Sequence, residues 1–211
     1  MAIIKNGILG GFKGKAGAVV GYEMYGQDCM RGIPRLRTSH TPNEVVNSSK
    51  FGLVQDTLSQ ILGFVKVGFR NYYTKTGGIR GAISYNRKHA VKEDENGFFL
   101  DPNEFVVAGG TLPGAKLPEF SVESPGIIKF KWDSNIPEGA DGLDQVMLLA
   151  IDLQGKNASF CEIGEFRKNA EASLSLDGGL EGKLVDVYMA FVAKDRSRQS
   201  TSQYLGPCQL Q

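Results

Sequence analysis

The sequence has few of the residues on which most catalytic and metal sites depend. Among its 211 residues there are two histidines, His40 and His89, and three cysteines, Cys29, Cys161 and Cys208. No pair of these has the spacing of metal ligands, and three scattered cysteines do not form a disulfide framework. We therefore expect reduced thiols, no metal and no other cofactor. An intermolecular disulfide through Cys208 stays open.

Long hydrophobic runs are also missing. The first residues, from Met1 to Gly11, contain no apolar block of the length that a secretory signal peptide needs. No stretch approaches the roughly 20 apolar residues of a membrane-spanning helix. The expectation is a protein that is made in the cytoplasm and either stays there or leaves by a leaderless route.

The motifs of common enzyme classes are absent as well. Gly10–Ala16 resembles a phosphate-binding loop, but Ala16 stands where such a loop needs serine or threonine. No serine occurs in the context of a nucleophile elbow, and Asp141 and Asp144 lie in a predicted polar loop, where we expect them to be solvated. We predict no catalytic residues. The early glycines are interpreted as positions at which another strand or chain approaches the backbone.

Negative charge is scarce in the first half of the chain, although the net charge is only +1. Residues 1–92 carry 14 Lys and Arg against 4 Asp and Glu, whereas residues 93–211 carry 10 against 19. A molecule polarised in this way is able to bind an anionic surface with one half, or to attract copies of itself head to tail.

Glycine is abundant, and it is concentrated near the start. Two β-type runs on either side of Gly26-Gln27 predict a hairpin with a type II′ turn. Pro34 ends the second strand or places it at an edge. Because a lone hairpin is marginally stable in water, this one needs a partner sheet from this chain or from another.

A long helix is predicted to begin at Thr41–Glu44, which offers a capping threonine, a proline at the first helical position and a glutamate three residues after the threonine. It is expected to end near Tyr73. Gly52, Gly63 and Gly68 weaken it, so a kink or a break stays open, and they let another backbone come close. Its apolar face consists of Val45, Phe51, Val54, Leu58, Ile61, Leu62, Val65 and Phe69.

A second, short helix is predicted over Ile79–Val91, followed by strands at Phe98–Leu100 and Glu104–Ala108. A joint at Leu112–Ala115 then separates two predicted domains. Residues 1–112 are expected to form an α+β region of hairpin and helices that serves assembly. Residues 113–211 are expected to form an all-β domain.

From Leu117 onward, short strands recur at a steady spacing with turn residues between them, which predicts an antiparallel β-sandwich. Alternation predicts that Phe130, Trp132, Val187, Met189 and Phe191 form its core. The seven predicted strands are Glu119–Glu123, Ile127–Asp133, Gln145–Leu153, Ala158–Ile163, Ala172–Leu176, Leu184–Ala193 and Gln199–Gly206.

Two of these strands resemble a known domain type. Ile127–Asp133 is similar to the second strand of a fibronectin type III domain, whose tryptophan fills the core, and Val187–Asp195 is similar to its aromatic-rich sixth strand. The resemblance implies a fibronectin type III-like, immunoglobulin-like sandwich for the C-terminal half. It implies no specific function, because this fold hosts many roles.

The whole chain also resembles a family of Bacteroidota proteins of unknown function. The matching segments are Gly7–Gly21, Met30–Pro34 and Ala82–Ala90. The resemblance implies a bacterial source and a common two-part architecture, and it supplies no catalytic residues.

The favoured hypothesis is a non-enzymatic structural protein, a homo-oligomer that assembles into a ring or filament through its basic, glycine-rich N-terminal half. The incomplete hairpin, the glycine-bearing helix and the opposite charges of the two halves support it. The residues predicted at the assembly interface are Gly11, Phe12, Gly14, Gly17, Val19, Tyr22, Tyr25, Arg31, Phe51, Leu58, Phe69 and Tyr85.

Alternatives stay open. The sandwich loops of a monomer or dimer are able to present a site for a glycan or a protein ligand. The basic and aromatic residues of the first half suit an acidic protein surface or, as a third hypothesis, single-stranded nucleic acid. These residues are Arg31, Arg35, Arg37, Lys66, Arg70, Lys75, Arg80, Arg87 and Lys88, with Phe69, Tyr72, Tyr73 and Tyr85.

Overall fold

The computed structural model describes residues 3–4, 7, 10–72, 78–124, 126–176 and 178–210. These residues form a mixed α/β structure of three α-helices and antiparallel strands in several sheets. By its contacts the chain divides into two compact units, Met1–Val45 and Val46–Gln211. The predicted boundary at residue 112 differs from this division, because residues on both sides of 112 share one core.

The first unit is an antiparallel sheet. Its strands are β1 (Ile3–Ile4), β2 (Phe12–Ala16), β3 (Val19–Met24) and β4 (Gln27–Gly32), which pair in chain order. The predicted hairpin is present as β3 and β4. The stretch that resembles a phosphate-binding loop supplies strand β2 and is followed by another strand rather than by a helix.

The turn between β3 and β4 is of a different type from the predicted one. Met24 pairs with Gln27, so the loop consists of Tyr25 and Gly26. Their φ angles are 53° and 75°. Two positive φ angles in a two-residue loop are characteristic of type I′, which matches the twist of the flanking strands, whereas type II′ needs only the first.

The first helix, α1 (Pro42–Gln60), begins where the sequence predicts. The Thr41 backbone N–H donates to the Glu44 carboxylate at 2.9 Å, and the Glu44 N–H donates to Thr41 Oγ1 at 3.3 Å. This reciprocal pair is a capping box. It satisfies two backbone donors that the helix itself cannot pair.

The single long helix of the prediction is two helices. After α1, the non-helical angles of Ile61 (φ −115°, ψ 33°) precede α2 (Leu62–Gly68). The carbonyl of Gly68 accepts the Gly109 N–H at 3.0 Å, and an added Cβ at Gly68 would lie 2.7 Å from the Val107 carbonyl oxygen. This glycine therefore admits a segment of its own chain. The expected end at Tyr73 lies outside the described residues.

The third helix, α3 (Gly78–His89), ends two residues before its predicted limit. Val91 instead begins a hairpin of β5 (Val91–Asp94) and β6 (Gly97–Leu100). The C-terminal turn of α3 carries Arg87, Lys88 and His89, and cations there are stabilised by the helix dipole.

The strand predicted at Glu104–Ala108 is irregular in the structure. The buried side chain of Asn86 pairs with the backbone of Val106 instead. Its Oδ1 accepts the Val106 N–H at 2.8 Å, and its Nδ2 donates to the Val106 carbonyl at 2.7 Å. The Asn86 amide thus pairs with the N–H and the C=O of Val106, which a neighbouring strand would otherwise satisfy.

Seven further strands follow. They are β7 (Glu119–Ser124), β8 (Ile127–Lys131), β9 (Gln145–Asp152), β10 (Asn157–Cys161), β11 (Glu171–Ser175), β12 (Leu184–Val192) and β13 (Gln203–Gln209). They form two sheets, in the orders β10-β9-β12-β13 and β11-β8-β7. The first six lie within two residues of their predicted bounds, whereas β13 begins four residues later than predicted.

Strands β9 and β12 are buried on both faces. On one face of β9, Met147, Leu149 and Ile151 share a core with the helices, and Tyr188, Ala190 and Val192 do so from β12. The alternate residues share a second core with β8 and β11. The second unit therefore has three layers: helices, the four-stranded sheet and the three-stranded sheet. The second core includes Phe130, Trp132, Val187, Met189 and Phe191, the five predicted core residues.

Candidate interaction surfaces

The sheet formed by β1–β4, called the N-terminal sheet below, has no hydrophobic core among its described residues. Neither hydrophobic cluster includes a described residue before Leu53, and Gly21 is the only buried residue among those described up to Val45. Large apolar side chains on or beside the strands are exposed by 40% to 101%. They are Ile3, Met24, Tyr25, Met30, Ile33 and Leu36.

Eight of the predicted interface residues lie in this unit, and the structure brings them together in one sheet. Tyr25 and Arg31 are exposed, and the side chains of Phe12, Val19 and Tyr22 are half-buried. The Arg31 guanidinium carbon lies 5.7 Å from the centroid of the Tyr22 ring, a cation–π contact. Gly11, Gly14 and Gly17 complete the set.

The space at two glycines of this sheet is already filled by the same chain. A Cβ added at Gly11 would lie 1.9 Å from the Asp28 carboxylate, and one at Gly21 would lie 2.6 Å from the Phe12 ring. A Cβ added at Gly17 would meet nothing within 4 Å. Gly17 lies in the turn between β2 and β3, where its φ is 58°. The expectation that Gly11 admits another chain therefore needs correction.

A groove of about 590 Å³ lies between α1 and α3 in the second unit; it is called the helical groove below. Side chains three and four positions apart on each helix line it, as expected for two facing helix surfaces. Its apolar residues are Phe51, Leu58, Leu62, Ile79 and Ile83.

The helical groove is basic on one side. Arg80 and Arg87 both line it from α3 and are both exposed, and seven residues correspond to about two helical turns. Across residues 46–92 there are eight Lys and Arg and one acidic residue, Asp56. Most of the positive charge of the first half thus belongs to this helical segment. Of the predicted basic and aromatic set, Tyr73 and Lys75 lie outside the described residues.

The predicted interface residues of the helices differ in their exposure. Phe51 is 43% exposed and lines the helical groove. Leu58 and Phe69 are 1% and 0% exposed and belong to the core shared with β9 and β12. Both are therefore core residues of this chain. Phe69 does not line the helical groove and leaves the predicted interface, whereas Leu58 lines the groove from within the core. Tyr85 is half-buried, with its ring centroid 4.5 Å from that of His89.

A second cavity, of about 790 Å³, lies beside the β5–β6 hairpin and the ends of β9 and β12. Its carboxylates are engaged within the chain: Asp186 accepts the Tyr204 hydroxyl at 2.7 Å, and Asp152 accepts the Gln154 N–H at 3.0 Å. Burial is the main cause that raises the pKa of Asp186, and the Tyr204 hydrogen bond opposes it. These contacts are those of a stabilising network.

One buried ion pair was not predicted from the sequence. Asp144, expected to be solvated, is 1% exposed, and its Oδ2 lies 3.4 Å from Nε of the equally buried Arg167. Arg167 also donates to the carbonyls of Pro113 and Gly114 at 2.7 and 2.9 Å. The pair fastens the segment before β7 to the sheets, and no local pattern around Arg167 signals it.

Within the described ranges, no group of three His, Cys, Asp or Glu side chains is placed to hold a metal ion. No helix in this part of the chain is long and apolar enough to cross a membrane.

Cys208 is 5% exposed and lies in the second core, and burial raises its pKa. Such a buried, protonated thiol is not placed to form an intermolecular disulfide.

The model of a family of unknown function, DUF6266, matches residues 11–206. The chain belongs to this family. No curated protein and no solved structure matches it significantly. The DUF6266 match includes three of the four strands of the N-terminal sheet, β2–β4, and all of the helical groove, whereas β1 lies before the matched residues. The family model names no organism, so the Bacteroidota source of this chain stays a prediction.

Proposed function

We propose that this protein is a non-enzymatic structural protein that assembles with copies of itself through its N-terminal sheet, into a ring or a filament. The observation that carries the proposal is a sheet whose described residues belong to neither hydrophobic core. Met30 is 70% exposed and Leu36 is fully exposed. Exposed apolar side chains on a thin sheet favour burial against another surface, and a second copy of the chain supplies that surface.

The edge of the sheet supports the same proposal. β4 is the last strand in the order β1-β2-β3-β4. An end strand presents backbone N–H and C=O groups that pair readily with another strand. Assembly is therefore able to use main-chain hydrogen bonds at β4 as well as apolar contacts over the sheet.

Charge favours a head-to-tail arrangement. The basic residues collect in the helical segment, and the acidic excess lies after residue 92. Contacts between unlike surfaces repeat from copy to copy, and they close into rings or extend into filaments.

We also propose that the two larger sheets form a sandwich of the fibronectin type III kind. Strand order supports this assignment, since β7, β8 and β11 lie in one sheet and β9, β10, β12 and β13 in the other, with the chain crossing repeatedly between them. The two sheets share a core that contains Trp132.

Analytical ultracentrifugation and negative-stain microscopy of the full chain over a range of concentrations test the assembly. We expect particles whose size grows with concentration, and we expect Met30→Glu to reduce them. The matched control is Ile136→Glu, at a loop residue of the second unit that is 47% exposed. A monomer at every concentration overturns the proposal and leaves the ligand-binding module as the hypothesis.

A further inference from the structure

The helical groove combines an apolar surface with positive charge. Phe51 and Leu62 are 43% and 38% exposed where they line it. Arg87 lines the same groove from α3 and is exposed. A surface of this composition is complementary to a chain segment that presents apolar side chains next to carboxylates.

Residues 162–166, called the acidic loop below, have that opposite character. They follow β10 and read Glu-Ile-Gly-Glu-Phe. Ile163 is 60% exposed and Phe166 is 38% exposed. Among the residues described after β6, no other two exposed large apolar side chains lie within three positions of each other.

The acidic loop is held in place but keeps free capacity for a partner. The Val146 backbone N–H donates to the Glu165 carbonyl at 2.9 Å, so the backbone of the loop is fixed to β9. Within the described part of the chain, the exposed Glu165 carboxylate accepts a hydrogen bond from Asn169 Nδ2 at 2.7 Å. A carboxylate accepts several hydrogen bonds, so Glu165 is able to accept one from an arginine as well.

We propose that the helical groove of one copy receives the acidic loop of a second copy. Ile163 and Phe166 cover the apolar residues of the groove, and Glu165 pairs with Arg87. The inference rests on the proposed self-assembly and adds to it a second contact, separate from the N-terminal sheet. Because each copy has one groove and one loop, the contact joins unlike surfaces and is able to repeat.

Charge reversal tests the pairing in the full chain. We expect Arg87→Glu alone, and Glu165→Arg alone, each to weaken self-association about tenfold, since like charges brought together in an interface are strongly unfavourable. The two changes in one chain should restore most of the affinity. Lys88→Glu is the matched control, because it makes the same charge change at an exposed residue that does not line the groove, and it should change affinity less than twofold.

The outcomes separate this contact from the assembly itself. An unmodified chain that stays monomeric contradicts self-assembly as a whole. If the unmodified chain assembles and Arg87→Glu behaves like Lys88→Glu, the groove is not the contact. If both single variants weaken association and the combined variant does not recover, the two residues act separately and the pairing of Arg87 with Glu165 is wrong.

Discussion

The guanidinium carbon of Arg167 lies 3.7 Å from the centroid of the Phe191 ring. The same group contacts Asp144 and donates to the carbonyls of Pro113 and Gly114. The backbone carbonyl of Arg167 accepts the indole N–H of Trp132 at 2.8 Å. One buried residue thus joins the aromatic core of the sheets to the segment that leads into β7.

Replacing Arg167 by methionine should therefore be costly. Arg167→Met leaves the carboxylate of Asp144 buried without a cation, and we expect the free energy of unfolding to fall by about 3–5 kcal/mol. Urea denaturation measures the loss. The control is Lys168→Met at the neighbouring exposed residue, with an effect within about 0.5 kcal/mol. Similar stabilities for the two variants would show that the buried pair contributes little.

Two glycines of α2 should respond to alanine in different ways. A Cβ at Gly68 would meet the Val107 carbonyl at 2.7 Å and the Ala108 Cβ at 2.8 Å, so we expect Gly68→Ala to destabilise by about 1–3 kcal/mol. A Cβ at Gly63 would meet the end of the Glu162 side chain at 1.9 Å, which is able to rotate away. Alanine normally favours a helix over glycine by about 1 kcal/mol, so Gly63→Ala should be neutral or stabilising. Thermal unfolding compares them, and a more stable Gly68→Ala variant would contradict the packing.

The β3–β4 turn predicts opposite effects at adjacent positions. Gly26→Ala places a side chain at a φ of 75° and should cost about 1–2 kcal/mol. Tyr25→Asn should stabilise the hairpin, because asparagine is favoured at the first position of a type I′ turn. Hydrogen exchange of the β3 and β4 amides measures both effects. Gly32→Ala is the control, since nothing lies within 4 Å of its added Cβ, and equal losses at positions 26 and 32 would rule out the turn type.

Asp186 should make stability depend on pH. Burial is the main cause that raises its pKa above the ordinary 3.8, and the nearby Asp152 adds to it. The folded protein therefore holds this proton more tightly than the unfolded chain does, and the contribution of Asp186 to stability falls as pH rises from 3.8 through the folded-state pKa. We expect Asp186→Asn to raise the Tm at neutral pH, because the amide oxygen still accepts the Tyr204 hydroxyl without burying charge.

The same variant should have little effect on the Tm at a pH below 3.8, where the native carboxyl is already protonated. Asp195→Asn is a control of opposite sign, because hydrogen bonds from Ser197 lower the pKa of Asp195. It should lower the Tm at neutral pH. A gain for Asp186→Asn that is the same at acidic and neutral pH would show that charge burial is not its cause.

Features set by neighbouring residues could be predicted from the sequence. The capping residues Thr41–Glu44 act within one turn, and the alternation of Phe130 and Trp132 depends only on strand geometry. Features set by distant contacts could not. The irregular path at Val106, whose backbone pairs with the Asn86 side chain, is one of them. The glycines of the long predicted helix left a break open, but its position at Ile61 could not be predicted, because that residue is neither proline nor glycine.

The candidate surfaces, too, could be predicted from the sequence only in part. Periodicity predicts that α1 has an apolar face, but it does not say which part is covered by other segments of the chain. Leu58 and Phe69 are buried in the core that includes residues of β9 and β12, whereas Phe51 stays exposed in the helical groove. The groove also needs Arg87 from α3, and its position beside α1 depends on how two helices pack.

The double burial of β9 and β12 has a consequence for how the chain is made. The core that the helices share with β9 and β12 is complete only once β12 has been synthesised, and β12 ends at Val192, roughly 100 residues after α3 ends at His89. At the usual pace of translation that interval lasts about 5–20 s. During it the nascent helices carry apolar surface that is only partly covered, and we expect the yield of folded protein to depend on this interval as well as on the stability of the finished fold.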